Sequence, residues 1–354
     1  MAVRFHQDRS DSITRFAKWS RKHDWLIRSG VLTIAYSVWT LLFRLLILSF
    51  ITYFLMPSAS QLGIWGNNEA AMPTPAVLPR FEEIGEVFSS NELPLIGLSA
   101  LVFVAFLCWL NPLTSTKSTD LISFERLRKR FIPGALHGIV FATGIVVAFL
   151  LSGLYRYLGF FIQLEDVALA LPGLFLRITL ILMFVYCEEF IYRQKIMGSL
   201  RSGFLSPEYH MDRLQGEMIA ATLTGILYCS IKALQFDLGV MHLISLFLAS
   251  IALSLRTLAD RDFVRGAGFW AAILIVFHPI FSLPLLGNDF SGILLFKYQA
   301  GAQDLVGTSD SGRFLTGGSG GPLSGFAFQA LLMIDIARSG FRYKKILLRP
   351  QQSR

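Results

Sequence analysis

Two adjacent glutamates, Glu188 and Glu189, follow an apolar run in this 354-residue chain. The thirteen residues before Cys187, 174–186, contain a single charged side chain, Arg177. Ionisable groups are costly at membrane depth, so their presence there indicates a functional site. Arg193 comes four residues after the second glutamate. A structural ion pair with this arginine is the alternative interpretation.

Helix geometry predicts different roles for the two carboxylates. Glu189 and Arg193 are four residues apart and therefore share a helix face, where they can pair. Glu188 points about 100° away around the helix, which makes Arg193 a poorer partner for it. One carboxylate is then held and neutralised, and Glu188 is left to act as a general base.

Other polar side chains occur in neighbouring apolar runs. Counted from the predicted inner helix ends, Glu188, Lys232 and His278 all reach a depth of roughly 18–22 Å, which predicts one buried site. His278 and Ser282 share a helix face, and their N–H and O–H groups could donate to an oxyanion. For Lys232 two alternatives remain open. It points inward to pair with a glutamate, or it extends to the outer interface.

The composition indicates an integral membrane protein. Hydrophobic residues make up 53% of the chain and charged residues 16%, with a mean hydropathy of +0.55. Soluble domains carry about 25% charged residues. Runs of about 20 apolar residues are long enough to cross a bilayer. We therefore expect an all-α, polytopic membrane helix bundle with about eight transmembrane helices. The predicted spans are 25–56, 93–111, 133–155, 168–202, 217–235, 238–256, 267–287 and 325–338.

The net charge of +8 is explained better by membrane topology than by nucleic-acid binding. With the N-terminus inside, most Lys and Arg residues fall on the inner side, as the positive-inside rule requires. This predicts an N-in, C-in protein whose basic patches contact anionic lipids at the cytoplasmic face. We expect a multi-pass protein of the bacterial inner (plasma) membrane. We expect no nucleic-acid partner.

The chain divides into five parts by composition. The apolar run that begins at Trp25 is too long for a cleavable signal peptide and predicts a retained anchor. The parts are a basic cytoplasmic N-terminus (1–24), accessory helices (25–160) with an outer loop (57–92), a core with the suspected site (168–290), a Gly-rich loop with the last helix (291–340), and a basic cytoplasmic tail (341–354).

The cysteines do not indicate a metal or redox site. Cys108, Cys187 and Cys229 form no C-x-x-C pair, and each lies in a predicted span, so small buried apolar side chains are the favoured interpretation. No cofactor is expected. Zinc stays an alternative, but His278 with the glutamates is a small ligand set beside the usual three protein ligands of a catalytic zinc.

The motif Glu188-Glu189-x-x-x-Arg193 resembles the first motif of the CPBP (Abi) family of intramembrane glutamate proteases. This family includes the type II CAAX prenyl endopeptidases. Its second motif is F-x-x-x-H, in the next helix. Its third is H-x-x-x-N after a helix start with tryptophan, and Trp270 followed by His278 resembles that pattern. The Gly-rich residues 315–322 resemble a further segment of bacterial members.

The resemblance covers roughly residues 168–290 and implies an endopeptidase that hydrolyses a peptide bond in a membrane-associated protein or peptide. By position, Glu188 would activate water and Glu189 with Arg193 would support it. His278, helped by Ser282, would stabilise the oxyanion.

The sequence departs from the family pattern at two positions. Lys232 stands where the second-motif histidine is expected, and Ser282 stands in place of the third-motif asparagine. A lysine beside Glu188 would form an ion pair and weaken the base. The alternative function is therefore a catalytically inactive relative that acts as a membrane scaffold or a bacteriocin-immunity-type protein. A transporter is a third and less favoured possibility, because the sequence shows no inverted repeat.

Overall fold

The long elements of the chain are helices. A computed structural model describes residues 23–50, 98–105, 125, 127–160, 167–236, 238–284, 293–298, 314–317 and 321–348. The α-helices are α1 (Asp24–Phe50), α2 (Ile132–Leu151), α3 (Val167–Glu189), α4 (Met197–Phe204), α5 (Arg213–Gln235), α6 (Val240–Asp260), α7 (Val264–Ile275) and α8 (Phe326–Leu348). π-helical turns cover Leu127–Phe131, Phe190–Ile196 and Val276–Ile280, and short 3-10 turns cover Pro207–Tyr209 and Pro322–Ser324. Residues 98–105 are also helical.

The all-α fold is confirmed, because each predicted span coincides with a helix in the described part of the chain. Four helical segments are long and apolar enough to cross a membrane by length and composition. They are Asp24–Phe43, Leu127–Leu151, Arg213–Gln235 and Val240–Asp260. Eight crossings and the N-in, C-in orientation stay predictions. The predicted outer loop, 57–92, lies outside the described residues, as does Cys108.

A two-stranded antiparallel sheet is an addition that the sequence analysis did not predict. Strand β1 (Tyr155–Phe160) follows α2, and strand β2 (Leu294–Tyr298) follows the last turn of the α7 region. Tyr155 lies opposite Tyr298 in the register. Strand β1 is rich in aromatic residues, which favour strands. The sheet therefore pairs the segment that precedes α3 with the segment that follows the α7 region.

Helices α2 and α7 pack with their backbones in close approach. A β-carbon at Gly134 would lie 2.1 Å from the Arg265 carbonyl oxygen, and one at Gly138 would lie 2.3 Å from the Phe269 carbonyl oxygen. Small residues spaced by four allow this kind of contact between membrane helices. Because both pairs advance by four residues, the two helices run parallel.

We expect Gly138→Ala to destabilise the protein by about 1–3 kcal/mol, since the added methyl group overpacks the interface with α7. Gly144→Ala on the same helix is the matched control, because nothing lies within 4 Å of its β-carbon position. Unfolding of both variants in mixed detergent–SDS micelles measures the difference. Equal unfolding midpoints for the two variants would contradict this packing.

Charged side chains connect four helix ends on one side of the bundle. Asp260, at the end of α6, pairs with Arg342 of α8 at 2.7 Å and with Arg265 of α7 at 3.7 Å. Arg130, just before α2, donates to the Asp260 carbonyl oxygen at 2.7 Å. The predicted topology places these four ends together on its inner side. Contact of the basic side chains with anionic lipids stays a prediction.

Candidate active site

Glu188 and Lys232 form a buried ion pair at the centre of the described bundle. Glu188 lies at the end of α3, and Lys232 lies in the last turn of α5. The Lys232 Nζ donates to Glu188 Oε1 at 2.6 Å. The lysine side chain is 0% exposed and the glutamate side chain 3%. Lys232 therefore points inward to pair with a glutamate and does not extend to the outer interface.

The ammonium group of Lys232 is enclosed by aromatic rings as well as by Glu188. Its Nζ also donates to Gln235 Oε1 at 3.1 Å. The ring centres of Phe184, Phe236 and Tyr228 lie 4.4, 5.4 and 5.6 Å from Nζ. Ring faces attract cations, and this attraction strengthens when water is excluded. These contacts offset part of the cost of burying the positive charge of Lys232.

Tyr36 of α1 is a third member of the cluster, and the sequence analysis missed it. Its hydroxyl donates to Glu188 Oε1 at 3.0 Å, and the side chain is fully buried. Arg193 was predicted to be a poorer partner for Glu188, and the structure gives Glu188 two other donors, Lys232 and Tyr36. A single tyrosine in an apolar helix carries no pattern that would have marked it beforehand.

Glu189 and Arg193 form the predicted pair on another face of the helix. Arg193 Nε lies 3.4 Å from Glu189 Oε2, and both side chains are buried. Arg193 also donates to Ser250 Oγ of α6 at 3.0 Å and lies over the Tyr228 ring. The two carboxylates therefore have separate partners, as the helix geometry predicted.

The helix changes to a π-turn directly after the two glutamates. The turn Phe190–Ile196 contains Arg193, and a second turn, Val276–Ile280, contains His278. Short π-segments inside α-helices are rare and frequently lie at functional sites. Neither turn is visible in the spacing of apolar residues, so the sequence analysis treated both helices as regular.

His278 and Ser282 belong to a local turn at the end of the α7 region. The buried His278 Nδ1 lies 3.3 Å from the Leu283 carbonyl oxygen. Ser282 has a φ of 52°, in the left-handed region, and its N–H donates to the His278 carbonyl oxygen at 3.1 Å. The helix ends at this turn, and these hydrogen bonds hold His278 in place within it.

The structure does not bring His278 to Glu188. A β-carbon at Gly266 would lie 3.8 Å from Glu189 Oε2, which places the glutamates beside the start of α7. His278 is twelve residues further along, or about 18 Å at the usual helical rise.

The predicted common depth of the site residues fails for His278 because the helix ends do not lie in one plane. Helix α4 ends at Phe204, about four turns beyond Glu189, whereas Glu189 lies beside Gly266, in the first turn of α7. Arg201 of α4 and the buried Glu217 of α5 pair at 2.5 Å. The depth of Glu188 was counted from the end of α4 and the depth of His278 from the start of α7, and these two helix ends lie at different heights in the bundle.

The described residues include no group of three His, Cys, Asp or Glu side chains that could hold a metal ion. Cys187 is buried next to Glu188 in the chain and forms no disulfide among the described residues. Cys229 is a half-buried free thiol whose Sγ lies 3.6 Å from the Leu243 carbonyl oxygen.

Comparisons of the chain with family models, with curated proteins and with solved structures found no match. The resemblance to CPBP proteases therefore rests on the motif residues alone.

Another buried ion pair connects the last helix to the core, and the sequence analysis also missed it. Arg256 of α6 donates to both carboxylate oxygens of Asp335 in α8, at 2.6 and 3.0 Å. Its guanidinium lies 3.8 Å from the centre of the Phe269 ring and 3.2 Å from His137 Nδ1. Helices α2, α6, α7 and α8 thus meet at this one arginine.

Proposed function

We propose that this protein is an intramembrane endopeptidase of the CPBP type that acts on a membrane-associated protein or peptide. In this proposal the chain crosses the membrane eight times, with both termini inside. The observation that supports it is the 2.6 Å contact between Glu188 and position 232, where the resemblance places the second-motif residue. The separate Glu189–Arg193 pair agrees with a supporting role for those two residues.

In this proposal Glu188 is the general base. It takes a proton from water as the water oxygen attacks the peptide carbonyl carbon, which produces a tetrahedral oxyanion. The carbon–nitrogen bond then breaks, and Glu188 returns the proton to the leaving amine. Proton transfer by one positioned group contributes about 10²–10⁴-fold to rates.

Lys232 replaces His278 as the proposed oxyanion donor, since His278 lies too far along α7. An ammonium group has three N–H donors. Glu188 and Gln235 accept two of them, which leaves one for a substrate carbonyl. Preorganised cationic donors stabilise developing negative charge strongly where water is excluded. Because the pair is closed to solvent in this conformation, substrate entry requires the helices around it to move apart.

We expect Glu188→Gln to reduce cleavage of a membrane-tethered peptide reporter by at least about 100-fold, because the amide cannot accept the proton. The assay compares wild type and variant in proteoliposomes, with a panel of apolar reporter sequences. Glu217→Gln is the matched control, because Glu217 is also a buried, arginine-paired glutamate but lies away from Lys232. Equal cleavage by wild type and Glu188→Gln would exclude this mechanism.

A second candidate function is a non-catalytic membrane scaffold or immunity-type protein. The observation that favours it is that Glu188 Oε1 already accepts hydrogen bonds from Lys232 and Tyr36 in a closed site. Such a pair would hold α1, α3 and α5 together without chemistry. This candidate predicts no cleavage by the wild type and a gain of cleavage in Lys232→His. Glu188-dependent cleavage by the wild type would rule it out.

A further inference from the structure

The first helix contributes a side chain to the site, although its sequence marks it only as an apolar span. Tyr36 is fully buried, and its ring lies against Phe103 and Tyr192, with centres 5.2 and 6.0 Å away. Its hydroxyl points to Glu188 Oε1 at 3.0 Å. Packing against these two rings therefore restricts the orientation of the Tyr36 side chain.

Helix α1 is itself docked at several levels along its length. Near its start, the Trp25 carbonyl oxygen accepts a hydrogen bond from Ser199 Oγ at 2.9 Å, and the Trp25 ring packs against Phe204. One turn beyond Tyr36, the Trp39 indole N–H donates to the Ser99 carbonyl oxygen at 3.0 Å. Contacts on both sides of Tyr36 keep its hydroxyl in register with Glu188.

Both donors to Glu188 reach the same oxygen. Lys232 Nζ and Tyr36 Oη each donate to Oε1, and neither donates to Oε2. We propose that Tyr36 is a positioning residue, which together with Lys232 fixes Oε1 and leaves Oε2 as the oxygen that takes the proton from water. This inference rests on the proposed peptidase function. It makes α1 a part of the site, and no longer an accessory helix.

Tyr36→Phe removes only the hydroxyl group and is expected to lower kcat about tenfold, the effect of losing one hydrogen bond to a charged group. KM is expected to stay unchanged, because Tyr36 does not touch substrate. Tyr192→Phe is the matched control, since the buried Tyr192 hydroxyl has no hydrogen-bond partner among the described residues. A wild-type kcat for Tyr36→Phe, or a rise in KM alone, would overturn the inference.

A second measurement separates this inference from the proposed function. Dicyclohexylcarbodiimide labels membrane-buried carboxyl groups, and mass spectrometry of peptides quantifies the label at Glu188 and Glu189 separately. We expect several-fold more label at Glu188 in Tyr36→Phe, because one of its two donors is gone. Label at Glu189, and both labels in Tyr192→Phe, should match wild type. If the wild type cleaves no reporter, the proposed function fails, but the labelling of Glu188 still tests its contact with Tyr36. Unchanged Glu188 labelling in Tyr36→Phe would overturn the inference itself.

Discussion

Replacement of Lys232 with methionine is expected to destabilise the protein by about 3–5 kcal/mol, because it leaves Glu188 buried without its counter-ion. Methionine keeps most of the side-chain length, so the loss of packing is small. The measurement is unfolding in mixed detergent–SDS micelles, followed by tryptophan fluorescence. Of the buried contacts of the site, the Glu188–Lys232 contact is the shortest between opposite charges.

Two further variants test whether the effect belongs to the pair. Glu188→Gln combined with Lys232→Met removes both charges and should recover most of the lost stability, since breaking one half of a buried pair costs more than replacing both. Lys129→Met removes the lysine of an equally short Lys–Glu pair whose side chains are 71% and 73% exposed, and should change little. A double variant no more stable than Lys232→Met would contradict the pairing.

Arg256→Leu is expected to have a comparable effect, about 3–5 kcal/mol, at a different place in the bundle. The change leaves the Asp335 carboxylate buried without the two hydrogen bonds it accepts, and removes the guanidinium from the Phe269 ring. Because Asp335 belongs to α8, the last helix should detach first. Limited proteolysis of the C-terminal segment in detergent, together with SDS unfolding, measures both consequences.

The matched control for this variant is Arg342→Leu. Arg342 also pairs with an aspartate, Asp260, at 2.7 Å, but its side chain is 51% exposed. Exposed pairs contribute little to stability, so this variant should unfold close to wild type. Arg256→Lys should lie between the two, because lysine cannot donate to both carboxylate oxygens in the planar arrangement of a guanidinium. Equal unfolding of Arg256→Leu and Arg342→Leu would show that burial of the pair has no effect.

The parts of the fold and site that depend on local sequence were predictable. Apolar runs of membrane length located the helices, since hydrophobic length is a direct requirement of a bilayer. The Glu189–Arg193 pair followed from a spacing of four on one helix. Helical geometry also separated Glu188 from Glu189, and the structure gives the two carboxylates different partners.

Features that depend on how helices pack against one another were not predictable. Tyr36 and Glu188 are 152 residues apart, and no periodicity relates them. The position of His278 was misjudged because counting along helices assumes that their ends share one plane, whereas α4 extends past the start of α7. The choice between two directions for Lys232 needed the position of α3 beside α5.

The small sheet has a topological consequence for assembly of the site. Pairing of Tyr155 with Tyr298 closes the intervening chain, which carries Glu188 and Lys232, into one large loop. Closing a loop of that length costs more entropy than forming a local contact, so we expect the strands to pair late in folding. Tyr36 and Asp335 belong to helices outside the loop. The hydrogen bond from Tyr36 to Glu188 therefore connects a helix outside this loop to a helix inside it.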